Sequence, residues 1–156
     1  MPSVSLGVPA FEQEYPYSCV PACVRMVLAF HGRVHAEADL RHLLDTDSSG
    51  TVPINLMRVT GLGVDVQLGS GSLPDLWTLL GAGLPPIVFL DTLCLPYWRK
   101  VCAHAAAVVG LDDTEVSLND PAFASAPQKV GHDDFLKAWA ANDHLCAVIA
   151  ELPAGP

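Results

Sequence analysis

Residues 13–31 read QEYPYSCVPACVRMVLAFH, a short polar and aromatic stretch that leads directly into an apolar run. Within that run the apolar side chains recur at helical spacing, Ser18 stands where a helix cap belongs, and Gly32 stands where a helix ends. The sequence therefore predicts a helix over residues 20–30 that begins beside Cys19. The N-terminal end of a helix favours the ionised form of a thiol, so Cys19 is a candidate nucleophile.

A glutamine, Gln13, lies six residues before Cys19. An amide in that position can lie beside the thiol and donate a hydrogen bond to the oxyanion that forms when a thiolate attacks a carbonyl group. A second donor would be the backbone N–H of Cys19. On sequence alone, an exposed glutamine on an extended segment is the more common case, and only the spacing to Cys19 favours the oxyanion role.

A histidine and an Asn-Asp pair follow in the second half of the chain. Residues 102–110 read CAHAAAVVG, which places His104 at the head of a strand-like run, and Asn119 and Asp120 come one predicted hairpin later. A lone histidine in an apolar strand is more often a core residue than a catalyst. A general base needs a third group bonded to its far ring nitrogen, however, and this pair is close enough to supply it. Glutamine, cysteine, histidine and an Asn or Asp in this order are the parts of a thiol hydrolase.

Which of the two side chains reaches His104 depends on the turn at residues 112–113. A two-residue loop there places Asn119 on the face of the sheet that carries His104, whereas a three-residue loop places Asp120 on that face. The sequence leaves both registers open. An Asn-Asp-Pro sequence is also a common turn after a strand, with no catalytic role.

The order and local settings of these residues resemble those of papain-like cysteine peptidases, and in particular the family that processes bacteriocin leader peptides after a double glycine. That family opens with a glutamine, five residues and an Asp-Cys-Gly-Pro-Ala-like motif on a helix. It continues with a histidine before a run of valines, and then an Asn-Asp-Pro motif. The resemblance spans roughly residues 8–149. One departure from the family pattern is Val20, since the family usually has a glycine at this position. A valine side chain allows fewer backbone conformations beside the nucleophile than a glycine does.

The resemblance implies a fold and a set of roles. The expected fold is α+β, a papain-like peptidase with N-terminal helices packed on an antiparallel sheet, in a single domain over residues 1–156. Cys19 would be the nucleophile, His104 the general base, and Gln13 the oxyanion donor. Asp120 would orient the imidazole, and the asparagine before it is the alternative. No metal or organic cofactor is implied.

The substrate that the resemblance implies is a peptide or a protein. Leader-processing relatives are usually fused to an export transporter. This chain would therefore act on a leader carried by a separate precursor peptide, or alongside a separate transporter. The same catalytic parts also suit a transferase that moves an acyl group, or a deamidase, since a fold does not settle the chemistry.

A catalytically silent domain that binds a peptide or a partner protein is the alternative to an enzyme. In its favour, the Val20 side chain could crowd the oxyanion site. Against it, every catalytic position holds a competent residue. A thiol redox role for Cys19 and Cys23 is weaker, because a spacing of four along a helix leaves two sulfur atoms poorly placed for a relaxed disulfide.

Composition argues against several classes of protein. The formal net charge is −9 with eight Lys and Arg, which argues against a nucleic-acid partner. No apolar run is long enough for a membrane span, and the N-terminus lacks the features of a secretory signal, so a cytoplasmic protein is expected. The five cysteines are then reduced thiols. The sequence contains neither Cys-x-x-Cys nor His-Glu-x-x-His, so no metal site is predicted.

Hydrophobic periodicity predicts the remaining elements. Further helices are predicted at residues 35–44, 52–62, 73–80 and 133–141, and strands at residues 64–68, 86–90, 103–109, 115–119 and 145–152. Helices thus dominate the first half and an antiparallel sheet the second. The aromatic pair Tyr97 and Trp98 either lines a substrate cleft or covers the core before the His104 strand, and the sequence does not decide between the two.

Overall fold

Four α-helices and seven strands are present in the computed structural model, which describes residues 2–153. The helices are α1 (Cys19–Phe30), α2 (Glu37–Leu43), α3 (Leu73–Gly81) and α4 (His132–Ala140). The strands are β1 (Val4–Ser5), β2 (Val64–Ser70), β3 (Ile87–Asp91), β4 (Ala103–Leu111), β5 (Glu115–Asn119), β6 (Gln128–Gly131) and β7 (Leu145–Glu151). Two further segments, Pro53–Leu62 and Thr92–Cys94, are 3-10 helices.

The strands form one sheet whose pairings are antiparallel. Their order is β2-β7-β3-β4-β5-β6, and β1 pairs with the far end of β4. Strand β4 therefore lies inside the sheet, with His104 opposite Leu90 of β3. Every strand that the periodicity predicts is present, whereas β1 and β6 contain too few residues for an alternating pattern to reveal them.

Helix α1 covers one face of the sheet and packs against β4. Its buried residues Val24, Val27 and Leu28 share a core with Ala105 and Ala107 of that strand. Burial of a Val or Leu side chain stabilises the fold by roughly 1.5–3 kcal/mol each. The short alanine side chains let the helix lie close to the strand, which brings the start of α1 near the start of β4.

Helices α3 and α4 cover the opposite face. Phe135 and Trp139 of α4 are fully buried there against Val88, Leu90 and Ala106 of the sheet. The predicted α+β architecture is confirmed, with N-terminal helices packed on an antiparallel sheet. The structure adds a second helical layer on the far side.

The helix predicted at residues 52–62 is a 3-10 helix. Leu56, Val59 and Leu62 occupy every third position and pack against the α1 core. That spacing fits three residues per turn and gives an α-helix no continuous apolar face. A 3-10 helix places the three side chains on one face, where Leu56 and Val59 are fully buried and Leu62 is partly buried.

The β4–β5 hairpin contains a bulge that decides which residue faces His104. The Asp112 N–H donates to the Glu115 carbonyl at 3.0 Å, so the loop consists of residues 113–114 and not of residues 112–113 as predicted. The register then shifts by one residue at Val109, and Ala107 pairs with Asn119. Continued by one residue, this register puts the position after Asn119 on the same face of the sheet as His104.

Candidate active site

Cys19 is the first residue of α1 and is half-buried. Ser18 occupies the cap position before it, but its hydroxyl does not cap the helix and lies within hydrogen-bond distance of the Tyr15 carbonyl and of Glu37 instead. Cys23, one turn later, is fully buried, and burial raises the pKa of its thiol well above the ordinary value. Of the two thiols on this helix, Cys19 is the accessible one, which leaves Cys23 as a core residue.

His104 lies between Cys19 and Asp120. Its Nε2–H donates to Asp120 Oδ1 at 2.6 Å, and the pair is buried. Nε2 is thus engaged, and Nδ1 is the ring nitrogen left for the Cys19 thiol. Burial by itself lowers the pKa of this imidazole, but the hydrogen bonds with Asp120 and Cys19 outweigh it and raise the pKa to about 9. The imidazole is therefore held in its protonated form across neutral pH.

Asp120 accepts hydrogen bonds from four donors. Its Oδ1 atom also accepts from the Ala122 N–H at 2.9 Å, and its Oδ2 atom accepts from the Tyr97 hydroxyl and the Trp98 Nε1–H, each at 2.8 Å. Burial alone raises the pKa of the carboxyl, but the bond from His104 and the other donors outweigh it and lower that pKa below its ordinary value. The carboxylate is thus held charged and fixed in orientation.

Tyr97 and Trp98 are the site residues whose role the sequence leaves open. The Trp98 ring also meets the His104 ring edge to face, with centroids 4.7 Å apart. Burial and the neighbouring Asp120 raise the pKa of the Tyr97 hydroxyl, so it stays a proton donor. The pair therefore supports Asp120 and covers the imidazole. No local pattern signals this, because the segment before β4 has no regular structure.

Asn119 points away from the histidine. Its Nδ2 group donates to the Val8 carbonyl at 3.0 Å, on the opposite side of the strand. Asp120 and Asn119 are the two candidates for the residue that orients the His104 imidazole, and Asp120 is the one that contacts His104. Asn119 instead holds the N-terminal segment against the sheet.

Gln13 lies in the same cleft as Cys19 and His104. Its backbone N–H donates to the Pro121 carbonyl at 2.7 Å, and its Nε2 group donates to the Tyr15 carbonyl at 2.8 Å. A side-chain amide carries two N–H groups, so a second donor remains for a ligand. The structure thus brings together the four residues that the sequence singles out, with Asp120 behind the imidazole.

Two clefts meet at the thiol. The larger has a volume of about 560 Å³ and is lined by Gln13, Tyr17 and Trp98, among others. The smaller has a volume of about 200 Å³, shares Cys19 and His104 with the larger, and is lined by Val20, Gly50, Phe89 and Asn142, among others. The Val20 side chain is 4% exposed and packs into the α1 core. It therefore takes up little of the smaller cleft.

Other features of the structure bear on what the site could hold. Among residues 2–153, no three His, Cys, Asp or Glu side chains are grouped as a metal ion would need. No helix within the same range has the length and apolar character needed to cross a membrane. All five cysteines are free thiols.

Comparisons with known proteins show what the chain is similar to. A model of the family described as the peptidase C39 family matches residues 8–146. A protein of Methanothermobacter marburgensis, described as uncharacterized, is 30% identical over 132 residues, which are 84% of this chain and 82% of that protein.

Several solved structures share the fold. A putative C39-like peptidase from Bacillus anthracis has a TM-score of 0.80 at 16% identity, over 99% of this chain and 100% of that one. The peptidase domain of Streptococcus ComA, a bi-functional ABC transporter involved in quorum sensing, has a TM-score of 0.73 at 21% identity, over 92% and 98% of the two chains. A double glycine motif protease from an AMS/PCAT transporter, in complex with the leader peptide, has a TM-score of 0.75 at 16% identity, over 96% and 95%.

Proposed function

The chain belongs to the peptidase C39 family, which confirms the resemblance carried by its motifs, and from this premise we propose that it is a cysteine peptidase. One observation carries the proposal. His104 is hydrogen-bonded to Asp120 and lines the same cleft as Cys19, the first residue of α1. A thiol, an imidazole and a carboxylate in this order are the parts of an activated sulfur nucleophile.

The reaction would proceed in two halves. In the resting ion pair the proton of Cys19 already lies on Nδ1 of His104, and the Cys19 thiolate attacks the carbonyl carbon of the scissile amide. Gln13 Nε2 and the Cys19 backbone N–H donate to the oxyanion. The imidazolium then gives its proton to the leaving amine as the C–N bond breaks, which leaves a thioester on Cys19. The neutral imidazole accepts a proton from water, the resulting hydroxide attacks the thioester, and cleavage of its C–S bond releases the acid product and restores the Cys19 thiolate beside the imidazolium. Asp120 keeps the ring oriented throughout.

We further propose that the substrate is a leader peptide cut after a double glycine, carried on a separate precursor or delivered with a separate transporter. The double glycine motif protease with its leader peptide is similar in fold over nearly the whole chain, which supports this substrate class. Free thiols at all five cysteines suit a reducing compartment such as the cytoplasm. The alternative is a domain that binds the same peptide without hydrolysing it. The following measurements distinguish this binding domain from a cysteine peptidase.

The first test is the alkylation of each cysteine by iodoacetamide, followed by peptide mass spectrometry across the pH range. Ordinary thiols are mostly protonated near pH 6, because their pKa is about 8.5. We expect Cys19 to react readily there, and we expect the His104→Ala variant to react at least about 10-fold more slowly, because the proton acceptor is gone.

The controls lie within the same protein. Cys94, which is also half-buried, reports the behaviour of a thiol outside the site, and His42→Ala removes an exposed histidine that does not contact the cleft. If Cys19 reacted no faster than Cys94 near pH 6, the resting ion pair would be absent and the binding module would be favoured.

The second test addresses Gln13. We expect Gln13→Ala to lower kcat by about 10²- to 10³-fold with little change in KM, because an oxyanion donor acts in the transition state and not in substrate binding. The assay is steady-state hydrolysis of a fluorogenic peptide that releases its reporter after Gly-Gly. Gln67→Ala, on the exposed part of β2, is the matched control. An unchanged kcat in Gln13→Ala would remove Gln13 from the mechanism.

A further inference from the structure

A buried carboxylate lies beside the loop that carries Gln13 and Cys19 and takes no part in the steps above. Glu37, the first residue of α2, is 1% exposed. Its Oε1 atom accepts hydrogen bonds from the Glu14 backbone N–H at 3.0 Å and from the Ser18 hydroxyl at 3.2 Å. A carboxylate is buried only where such partners compensate for the loss of water, so these contacts fix the loop to α2.

Arg41 supplies the matching positive charge. It lies one turn after Glu37 on α2 and pairs with Glu37 Oε2 and, at 2.6 Å, with Glu14 Oε1. Its guanidinium also lies over the Tyr15 ring, 4.6 Å from the centroid. The buried carboxylate is therefore neutralised locally, and the same arginine holds the outer surface of the loop.

The Tyr15 carbonyl connects this network to Gln13. It accepts from Gln13 Nε2 at 2.8 Å and from the Ser18 hydroxyl at 3.0 Å. A hydroxyl carries one proton, so Ser18 donates either to Tyr15 or to Glu37. A carboxylate is the stronger acceptor, so Glu37 holds the Ser18 hydroxyl in place beside the Tyr15 carbonyl that accepts from the Gln13 amide. The carboxylate thus influences the orientation of Gln13 through two intervening groups.

The other end of the loop is held from the opposite side, where the Gln13 N–H donates to the Pro121 carbonyl. Residues 13–18 are thus fixed between α2 and the segment that follows Asp120. We propose that Glu37 is a positioning residue for the peptidase reaction, which orients the Gln13 amide and the backbone before Cys19 through Ser18 and the Glu14 N–H. This inference rests on the proposed function and deepens it.

The substitution Glu37→Ala removes the carboxylate, while Glu37→Gln keeps an Oε1 acceptor for Ser18 and Glu14. We expect Glu37→Ala to lower kcat by about 10- to 100-fold with KM nearly unchanged, because a displaced donor loses transition-state contacts first. We expect Glu37→Gln to recover only part of that loss, because its NH₂ group then faces the Arg41 guanidinium, which can only donate. Asp39→Ala, which removes an exposed carboxylate from the same helix, is the matched control and should leave kcat unchanged.

A double-mutant cycle separates positioning from general destabilisation. If Glu37 acts through Gln13, then Glu37→Ala should cost little further kcat in a Gln13→Ala background. Fully multiplicative losses in kcat would contradict the proposal. The proposal would also be contradicted if Glu37→Ala regained the wild-type kcat when the assay is run well below the melting temperature of the variant.

A second readout does not depend on hydrolysis. The side-chain amide signals of Gln13 are assigned in a ¹H–¹⁵N correlation spectrum by their absence in Gln13→Ala. They should shift or broaden in Glu37→Ala, less so in Glu37→Gln, and not in Asp39→Ala. Unchanged Gln13 signals in Glu37→Ala would overturn the positioning role. A wild-type protein without Cys19-dependent hydrolysis would contradict the proposed function instead, and the two failures are therefore distinct.

Discussion

Cys19→Ala is expected to lower kcat for peptide hydrolysis by at least about 10⁴-fold and to leave the fold intact. The variant loses the atom that attacks the carbonyl group. Cys19 is half-buried at the start of α1, where its removal leaves the buried face of the helix unchanged. The residual rate would come from substrate binding and the oxyanion donors alone.

The measurement is steady-state hydrolysis of the Gly-Gly reporter peptide, with a thermal melt of each variant beside it. Cys94→Ser, which changes a half-buried thiol outside the cleft, should retain activity. Binding of the peptide to Cys19→Ala, measured by calorimetry, should match binding to the wild type. A Cys19→Ala variant with full activity would refute the mechanism, and a wild type that binds without hydrolysis would favour the binding module.

The local parts of the site could be predicted from the sequence because each has a local signature. The helix over residues 20–30 follows from apolar periodicity, and Cys19 stands at its start. His104 heads an apolar strand, and Gln13 stands at a fixed distance before Cys19. These residues meet because α1 packs on β4, and that packing follows from the apolar face of the helix and the run of alanines on the strand.

The choice between Asn119 and Asp120 could not be predicted from the residues alone. It depends on the bulge at Val109 and on the loop at residues 113–114. A one-residue change of register reverses the face that each side chain occupies, and hydrophobic patterning does not resolve a single extra residue when both faces of a strand are buried. Both faces of β4 are buried between helices.

The supporting contacts could not be predicted for a different reason. Tyr97 and Trp98 reach Asp120 from a segment without regular structure, and Glu37 reaches Ser18 from a separate helix. Such hydrogen bonds join residues about 20 positions apart and leave no periodic trace in the sequence. The residues that do the chemistry are thus easier to recognise than those that hold them.

Asp120→Asn is expected to lower kcat/KM by about 10³- to 10⁴-fold. An amide fits this position poorly in either orientation. With its oxygen toward His104, its NH₂ group faces the Trp98 Nε1–H, which can only donate. With its NH₂ group toward His104, it faces the donors His104 Nε2–H and Ala122 N–H. The variant therefore loses the charge and also the hydrogen bonds that orient the imidazole.

The pH profile distinguishes this loss from simple destabilisation. Because the pKa of His104 is raised to about 9, the ring stays an imidazolium, which can protonate the leaving amine, up to that pH. Wild-type kcat/KM should therefore fall only as the pH rises through about 9. Without the carboxylate that pKa falls toward its ordinary value of about 6.5, and the alkaline limb moves to lower pH. By linkage, the raised pKa of His104 stabilises the folded wild type at pH values below about 6.5, and this contribution is lost as the pH rises through about 9.

Two further variants make the test specific. Trp98→Phe removes the donor that opposes the amide, so Asp120→Asn should cost less in the Trp98→Phe background than in the wild type. Asn119→Ala removes the neighbouring side chain, which contacts Val8 and not His104. It should lower the melting temperature and leave the alkaline limb in place. An alkaline limb that stayed near pH 9 in Asp120→Asn would show that another group sets the protonation of His104, because the carboxylate would then contribute nothing to it.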